Sequence, residues 1–575
     1  MKTNFLLKRF KTGLAVAALL PAWQEAGAQG IVTFNPAFFH VDAGRNLILI
    51  NAPLSQLSPA ATSDSIRTLA VDGQHYTLRR AVARLGTAGS YQATANAKTY
   101  TVYFTQVPVL TLSTRQQIVD APSVYANLVL TDTTGVLAQS ATGIEIRGAF
   151  SQSYPKKSYE LSLWADTLGA ANRDLPLLGM RNDNKWNLQA MYNDQLRMRL
   201  KVANELWQSI HQVYYKAQEP NAKNGIDMAY TEVFINGSYQ GIYALTERVD
   251  KKQLKLKKYA NNTIAGELYK GIDRSVAIFD AAPPFNNSSL VWEGFEYKEP
   301  SEKTDWSNLH SFVSFVVNSS DADFYSQYKS RFNLANAVDY FLFLNLMRAT
   351  DNTGKNIYLA KYKVGEPYYY VPWDLDGVLG NIWNGSSDPT TNDLLSNGFY
   401  DRLMQDHSAT GFRAALASRW VSLRTSVVTS AYITGKLQAS TDYLLTNNVY
   451  EREHLAWPAY QYDAAQLAYP ATWLTSRLAY LDAAFRPTAT ALGTASAQAD
   501  AALQLYPNPA SDYLRVELKA GPAQLILQDV SGRTVLQVAL AAGSNQLNMS
   551  KLPKGLYMAT IKTATTTTVQ KLQMQ

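Results

Sequence analysis

The segment from Asp351 to Gly380 restricts the possible folds of this 575-residue chain more than any other part of it. Its sequence is DNTGKNIYLAKYKVGEPYYYVPWDLDGVLG, in which two apolar runs flank a polar turn, a pattern that predicts a β-hairpin. Asp351 and Asn356 precede the first strand, and Asp374 and Asp376 follow the second. Such a hairpin brings side-chain oxygens together, and these are the ligands that Mg²⁺ and Ca²⁺ prefer. The segment therefore predicts a cation site, either a catalytic site or a structural Ca²⁺ loop.

The order of these residues matches the layout of protein kinases. In that layout a catalytic Asp is followed closely by a metal-binding Asn and, after the next hairpin, by a metal-binding Asp. Asp351, Asn356 and Asp374 occur in this order, and an apolar helix predicted from Asn333 to Arg348 ends just before them. A structural alternative also fits, because Asp351 and Asn352 can form an Asx turn after the helix.

Composition excludes several classes of protein. The length predicts several domains, because single hydrophobic cores stop growing beyond roughly 250–300 residues. The net charge is +7, and much of it lies in the first 28 residues, so nucleic-acid binding is not expected. No long apolar run occurs, so no transmembrane segment is expected. The absence of Cys argues against disulfides and a Cys nucleophile. Neither an HExxH nor a GxSxG motif occurs, so the sequence gives no support for a hydrolase.

The N-terminus predicts a signal peptide over residues 1–28. The basic stretch Lys8-Arg9-Phe10-Lys11 precedes a short apolar region, and Ala26-Gly27-Ala28 supplies a cleavage site of small residues. An amphipathic N-terminal helix is the alternative. A signal peptide implies export through the periplasm, to the cell surface or the medium.

Changes in sequence pattern divide the rest of the chain into four regions. Alternating apolar and polar residues predict an N-terminal β accessory region over residues 29–115. Residues 116–486 combine hairpins with amphipathic helices and form the predicted main α+β domain. Small and polar residues over 487–503 predict a linker. Short alternating strands over 504–575 predict a β-sandwich module.

A second candidate site lies early in the main domain. Arg147-Gly148 and several small polar residues precede Lys157 and an alternating strand. The N–H groups of such a turn can cradle a phosphate while an ammonium group neutralises its charge, although a solvated hairpin explains the same residues. The amphipathic helix predicted from Asp194 to His211 carries Glu205, which in a kinase-like arrangement is the candidate acidic partner of Lys157.

Three motifs mark the C-terminal region. They are Tyr506-Pro507-Asn508-Pro509, Asp529-Val530-Ser531-Gly532-Arg533 and Leu552-Pro553-Lys554-Gly555-Leu556-Tyr557. With them, the last 70 or so residues resemble the C-terminal sorting domain of the type IX (Por) secretion system of Bacteroidetes-type bacteria. The resemblance implies handling by the type IX secretion machinery and a secreted or cell-surface location.

Five segments of the main domain occur in the order typical of a second family. They are IRGAFSQSYPKKSYEL, LLGMRNDNKWNLQAMYNDQLRMR, EVFINGSYQGIYALTERVD, RATDNTGKNIYL and YYYVPWDLDGVLG. These segments resemble the CotH family, the secreted atypical kinases related to spore-coat protein H. The resemblance implies a two-lobed, protein-kinase-like core. The family commonly has Asn-Ser-Ser or Ala-Ser-Ser after Arg-Gly, whereas this chain has Ala149-Phe150-Ser151.

This resemblance implies roles for the residues of the hairpin segment. Asp351 would act as the catalytic base toward the acceptor hydroxyl. Asn356 and Asp374 would hold Mg²⁺ (or Mn²⁺), and Asp376 would assist with a second ion.

The resemblance also implies a nucleotide site and a function. Lys157 would contact the ATP phosphates, with Glu205 as its candidate partner, and Arg147 and Glu247 would lie near the nucleotide. The implied function is that of a secreted atypical kinase that transfers the γ-phosphate of ATP to Ser or Thr of exported or surface proteins. The alternative is a non-catalytic kinase-fold protein with a structural or binding role at the surface or in a spore-coat-like layer.

Overall fold

Helices and strands are mixed along the chain, which confirms the expected α+β class. The computed structural model describes residues 30–57, 66–485, 503–518, 521–529, 532–563 and 567–575. The predicted signal peptide, and all of the predicted linker except Leu503, lie outside the described residues. The chain divides into two compact units, Met1–Arg486 (unit 1) and Pro487–Gln575 (unit 2).

Unit 1 begins with a seven-stranded sheet. Its elements are β1 (Ile31–Thr33), β2 (Phe39–Asp42), β3 (Leu47–Ile50), α1 (Leu54–Leu57), β4 (Ile66–Val71), β5 (Gln74–Val82), β6 (Ser90–Ala95) and β7 (Lys98–Phe104). The strand order is β1-β4-β5-β6-β7-β3-β2. Apolar side chains that include Ile48, Leu69 and Val102 are buried in a core cluster of this sheet.

The next nine strands of unit 1 include seven that close into a barrel. They are β8 (Val109–Ser113), β9 (Val124–Asp132), β10 (Gly135–Arg147), β11 (Ser158–Trp164), β12 (Leu175–Pro176), β13 (Asn182–Asp183), β14 (Lys185–Gln189), β15 (Met228–Ile235) and β16 (Ser238–Thr246). The barrel order is β10-β11-β14-β16-β15-β8-β9, and β12 and β13 form a separate pair. The barrel starts before residue 116, because β8 pairs in parallel with β15 and antiparallel with β9. Leu128, Leu161 and Trp186 are buried in its core.

The first long helix, α2 (Arg199–Ile210), begins later than its predicted start at Asp194. The Asp194 carboxylate accepts hydrogen bonds from the backbone N–H groups of Met198 (2.6 Å) and Arg199 (2.7 Å), and so satisfies the free donors at the helix start. Arg197 has a φ of 56°, which no α-helix accommodates. Asp194 therefore caps the helix from a loop that precedes it.

A five-stranded sheet and most of the helices complete unit 1. The strands β17 (Glu267–Gly271), β18 (Val291–Trp292), β19 (Phe295–Glu299), β20 (Ile357–Lys361) and β21 (Tyr368–Pro372) pair in the order β18-β19-β17-β20-β21. The helices are α3 (Lys251–Leu254), α4 (Ser307–Asn318), α5 (Asp321–Arg331), α6 (Leu334–Met347), α7 (Gly398–Leu403), α8 (Phe412–Arg424), α9 (Ser430–Thr446), α10 (Val449–Ala456) and α11 (Ala465–Phe485).

Helix α6 and the β20–β21 hairpin confirm two predictions. The helix lies within one residue of its predicted bounds at each end, and all of its residues from Asn336 to Met347 are buried. The hairpin pairs Ile357 with Pro372. The Asn336 side chain accepts a hydrogen bond from the N–H of Tyr370 (2.6 Å) and donates one to its carbonyl (3.0 Å). The hairpin is thereby fixed against the helix.

Unit 2 contains two antiparallel sheets. Its strands are β22 (Leu503–Tyr506), β23 (Tyr513–Leu518), β24 (Ala523–Asp529), β25 (Thr534–Leu540), β26 (Gly543–Asn548), β27 (Gly555–Lys562) and β28 (Thr567–Met574). They pair in the orders β22-β23-β26 and β25-β24-β27-β28. Leu514, Leu525 and Ile561 belong to one core cluster, to which both sheets contribute. In the part of the chain that the structure describes, no helix is long and apolar enough to cross a membrane.

Candidate functional site

The loop between α6 and β20 holds Asp351 in a defined position. The Asp351 carboxylate accepts a hydrogen bond from Nδ2 of Asn356 (2.9 Å), and Nζ of Lys355 lies 3.6 Å from it. Nδ2 of Asn352 donates to the carbonyls of Asn356 (2.8 Å) and Trp373 (2.7 Å), which ties the loop to both ends of the hairpin. In an Asx turn the Asp351 carboxylate would accept a hydrogen bond from a nearby backbone N–H. Here it accepts one from the side-chain amide of Asn356 instead.

Two further carboxylates lie at the other end of the hairpin. Asp376 accepts a hydrogen bond from Nδ2 of Asn193 (2.8 Å). Burial, and secondly the negative charge of Asp374, raise the pKa of Asp376 well above its usual range. Within the described chain, the Asp374 carboxylate forms no hydrogen bond or ion pair with another side chain. A cation bound between the two carboxylates would offset their repulsion, so this pair fits a metal ion.

The protein alone offers an incomplete set of metal ligands. Among the residues that the structure describes, no group of three or more His, Asp or Glu side chains is close enough to hold a metal ion. Mg²⁺ commonly binds one or two carboxylates and completes its shell with water and phosphate oxygens. Asp374, Asp376 and the amide oxygen of Asn356 therefore fit Mg²⁺ that arrives with a phosphate ligand better than they fit a permanent structural Ca²⁺ ion.

One cleft, with a volume of about 490 Å³, is lined by Asp351, Asn356, Asp374 and Asp376. Its acidic residues include Asp351, Asp374 and Asp376. Its basic residues are Arg147, Lys156, Arg248, Lys270, Lys298 and Lys355. Arg147 donates to Oε1 of Gln189 (2.7 Å), and its guanidinium lies over the Trp373 ring at 5.7 Å. A cleft that combines clustered cations with a carboxylate pair suits an anionic ligand that carries a divalent metal ion.

The position of Lys157 differs from its predicted role. Its ammonium donates to the carbonyls of Gln152 (2.5 Å) and Tyr154 (2.6 Å), so it braces its own turn and does not line the cleft. Lys156 lines the cleft instead. The two lysines lie in the turn before β11, where Lys157 is held by carbonyls of that turn and Lys156 is buried against the barrel.

Glu205 and Glu247 also lie away from the cleft. Glu205 bonds to Lys201 and Lys436 (3.1 Å), and it lines a different cavity of about 1210 Å³. Glu247 is fully buried and accepts hydrogen bonds from the backbone N–H groups of Arg181 (3.0 Å) and Asp227 (3.1 Å). The prediction that Glu205 pairs with Lys157 was therefore wrong. Glu247 does not line the cleft, and its proximity to a nucleotide stays a prediction.

The acidic partner of the cleft lysine is Glu453 on α10, which the sequence did not reveal. Lys156 donates to Oε1 of Glu453 (2.6 Å) and to the carbonyl of Ile242 (2.5 Å). Arg197 donates to the same carboxylate oxygen (3.1 Å), and the N–H of Ile242 donates to the other (2.9 Å). Burial lowers the pKa of Lys156 to about 7, although the charge of Glu453 acts in the opposite direction.

Comparison with known protein families identifies two parts of the chain. A family model described as "CotH kinase protein" matches residues 144–481, a span that contains every predicted site residue. The chain belongs to the CotH kinase family. In this CotH family member, a second model, described as "Secretion system C-terminal sorting domain", matches residues 504–575. Both resemblances are thus confirmed, and the sorting domain indicates handling by the type IX secretion machinery and a secreted or cell-surface location. Among individually curated proteins, none matches.

The Glu453 cluster yields a prediction about stability. Glu453→Ala leaves Lys156 and Arg197 buried without an anion, so we expect a loss of about 3–5 kcal/mol in the free energy of unfolding. Lys156→Met should cost less, because Glu453 keeps Arg197 and the Ile242 N–H. Urea unfolding followed by tryptophan fluorescence measures both, since every Trp of the chain lies in unit 1. A larger loss in Lys156→Met would contradict this account.

The carboxylate pair yields a second prediction. Asp376→Asn removes the charge that burial and Asp374 disfavour, so we expect it to raise the free energy of unfolding in EDTA. The same variant should lose any stabilisation that Mg²⁺ with ATP gives the wild type. Thermal unfolding in both buffers measures this, with the exposed Asp280→Asn as the control. Destabilisation of Asp376→Asn in EDTA would show that the two carboxylates do not repel each other.

Proposed function

We propose that the chain is a secreted protein kinase that transfers the γ-phosphoryl group of ATP to Ser or Thr hydroxyls of exported or surface proteins. The observation that carries this proposal is the single cleft in which Asp351, Asn356 and Asp374 face a cluster of basic side chains. Phosphoryl transfer requires mainly positioning, charge neutralisation and a base, and the cleft offers groups for each of these requirements.

Each residue has a role in the proposed reaction. Asp351, oriented by Asn356, accepts the proton of the acceptor hydroxyl as its oxygen forms a bond to the γ-phosphorus. The bond from that phosphorus to the β–γ bridging oxygen breaks, and ADP leaves with the electron pair. When bound, Mg²⁺ (or Mn²⁺) neutralises charge on the phosphates. Asp374, Asp376 and Asn356 are the residues that would hold the ion.

Lys270 is the cleft cation best suited to the phosphates. It lies on β17 and lines the cleft, and within the described chain its ammonium forms no hydrogen bond or ion pair. Burial lowers the pKa of Lys270, Glu296 counteracts this, and Arg147 adds to the lowering. A polyphosphate would supply the missing counter-charge. The proposal therefore transfers the phosphate contact from Lys157 to Lys270 and Arg147, with Lys156 held behind them by Glu453.

The finer features of the fold belong to the same proposal. The barrel would form one lobe, and the five-stranded sheet with its helices would form the other. The two sheets of unit 2 would form a β-sandwich. The proposed regions are a signal peptide (1–28), an accessory region (29–115), a kinase domain (116–486, extended to include β8), a linker (487–503) and the sorting domain (504–575).

A non-catalytic surface or spore-coat-like protein is the second candidate. Two observations favour it: Lys157 binds backbone carbonyls of its own turn, and Phe150 stands where the family commonly has a small polar residue. Such a protein would bind partners without transferring phosphate.

Transfer of labelled phosphate from ATP to total secreted protein separates the two functions. We expect Asp351→Ala and Asp374→Ala each to reduce transfer at least about 100-fold, because a positioned base alone contributes that much. Circular dichroism should show that both variants remain folded, and Asp280→Ala serves as an exposed control. Autophosphorylation at the wild-type rate in either variant would overturn the proposed function.

The two lysines provide a sharper comparison. Lys270→Met should raise the KM for ATP about 10-fold or more, since a hydrogen bond to a charged group contributes about 1.5–3 kcal/mol. Lys157→Met should change this KM less than about 3-fold, because Lys157 contacts only carbonyls of its own turn. Initial rates at varied ATP concentration measure both effects. Equal effects of the two substitutions, or a larger effect of Lys157→Met, would contradict the assignment of the phosphate contact.

A further inference from the structure

Four aromatic side chains form a continuous group at one border of the cleft, here called the aromatic rim: Phe150, Tyr154, Tyr192 and Trp383. The Phe150 and Trp383 rings meet edge to face, with centroids 4.8 Å apart. Phe150 also meets Tyr154 at 5.6 Å, and Tyr154 meets Tyr192 at 4.9 Å. All four line the same cavity as Asp351 and Asp374.

The two outer rings of the rim are largely open to solvent. Phe150 is 54% exposed and Trp383 is 44% exposed. Single exposed apolar side chains are common and need no explanation, but adjoining exposed rings that line a cavity are typical of binding sites. Rigid aromatic rings offer a large contact area at a low cost in conformational entropy. The outer rings therefore have the properties of a binding surface.

The rim lies at the acidic end of the cleft. Nδ2 of Asn193 donates both to the carbonyl of Trp383 (2.8 Å) and to Oδ2 of Asp376 (2.8 Å), so one side chain separates Trp383 from the carboxylate pair. Tyr154 is close enough to Asp376 that the carboxylate charge, after burial, raises the pKa of its phenol. In the proposed reaction the carboxylates hold the metal ion at the phosphate end of the nucleotide. Side chains on the solvent side of that end face the incoming hydroxyl.

The segments that carry the outer rings have defined backbone conformations. Trp383 lies in a loop in which Ile382 donates to the carbonyl of Ser386 (3.0 Å), and Gly385 packs so closely that an added Cβ would lie 2.3 Å from the carbonyl of Asn193. Phe150 begins a short 3-10 turn after Gly148, whose φ of 108° suits glycine. Both rings are thus positioned before any ligand binds.

We propose that the aromatic rim is the acceptor subsite, and that it selects Ser or Thr hydroxyls flanked by an aromatic or large apolar residue in the acceptor polypeptide. The specificity rests on the proposed kinase function. We expect this specificity to be particular to this chain and not general to its family, because Phe150 lies in the segment where the chain departs from the usual family turn. The apolar neighbour of the hydroxyl stacks on Phe150 and Trp383, and the hydroxyl then reaches Asp351.

The test uses the full chain and two peptides that differ only beside a single Ser, where one has Phe and the other Gly. The wild type should phosphorylate the Phe peptide with a kcat/KM at least 10-fold higher. Phe150→Ala and Trp383→Ala should remove this preference through the peptide KM and leave the ATP KM within 2-fold. Leu168→Ala, at a side chain that is 88% exposed and outside the cleft, should behave as the wild type. Unchanged peptide preference, or a raised ATP KM instead, would overturn the subsite.

A binding measurement separates this inference from the proposed function. Fluorescence polarisation of both labelled peptides with Asp351→Ala reports binding without transfer. Tighter binding of the Phe peptide that disappears in Asp351→Ala/Trp383→Ala supports the subsite. If the wild type then transfers no phosphate, the kinase function is overturned and the subsite is not. Equal binding of the two peptides would overturn the subsite whether or not phosphate is transferred.

Discussion

The buried carboxylate of Glu453 is the interaction on which the rest of unit 1 depends. It accepts hydrogen bonds from Lys156 in the turn before β11, from Arg197 before α2, and from the N–H of Ile242 in β16. All of these groups are removed from water, so each charge is stable only while the others remain in place. Buried ion pairs of this kind add little net stability compared with apolar packing, but they penalise every arrangement that separates them. One carboxylate thereby sets the relative positions of a cleft wall, a helix start and the barrel.

Arg452, the residue before Glu453 in α10, connects the same helix to a second barrel strand. Arg452 bonds to both oxygens of Glu232 in β15, and Tyr239 donates to the same carboxylate (2.6 Å). Two adjacent residues of α10, with opposite charges, thus bind two strands of the barrel. Leu47 and Leu49 of the N-terminal sheet pack with barrel and α10 residues in one apolar cluster. The polar contacts of α10 are therefore enclosed by apolar packing, which strengthens them by excluding water.

The sequence predictions were more accurate for residues that lie close together along the chain than for residues far apart in sequence. The hairpin, helix α6 and the grouping of Asp351, Asn356, Asp374 and Asp376 were predictable, because local pattern and one turn bring them together. Of the two adjacent lysines before β11, only Lys156 lines the cleft, and no local pattern distinguishes it from Lys157. Its partner lies 297 residues away, and no periodicity or spacing links the two. Glu205 pairs with Lys201 on its own helix and with the distant Lys436, and the second of these contacts has no signature in the local sequence.

The order of these contacts along the chain has a consequence for the folding of unit 1. The barrel cannot close until β15 is available to pair with β8, and the cleft lysine has no counter-ion until residue 453 is available. Such non-local contacts are slow to form, because the loop between the partners must first be ordered. The cleft is therefore among the last parts of unit 1 to be completed. In a partly folded unit 1 the residues that line the cleft therefore lie in separate segments, and they meet only after contacts that span most of the unit have formed.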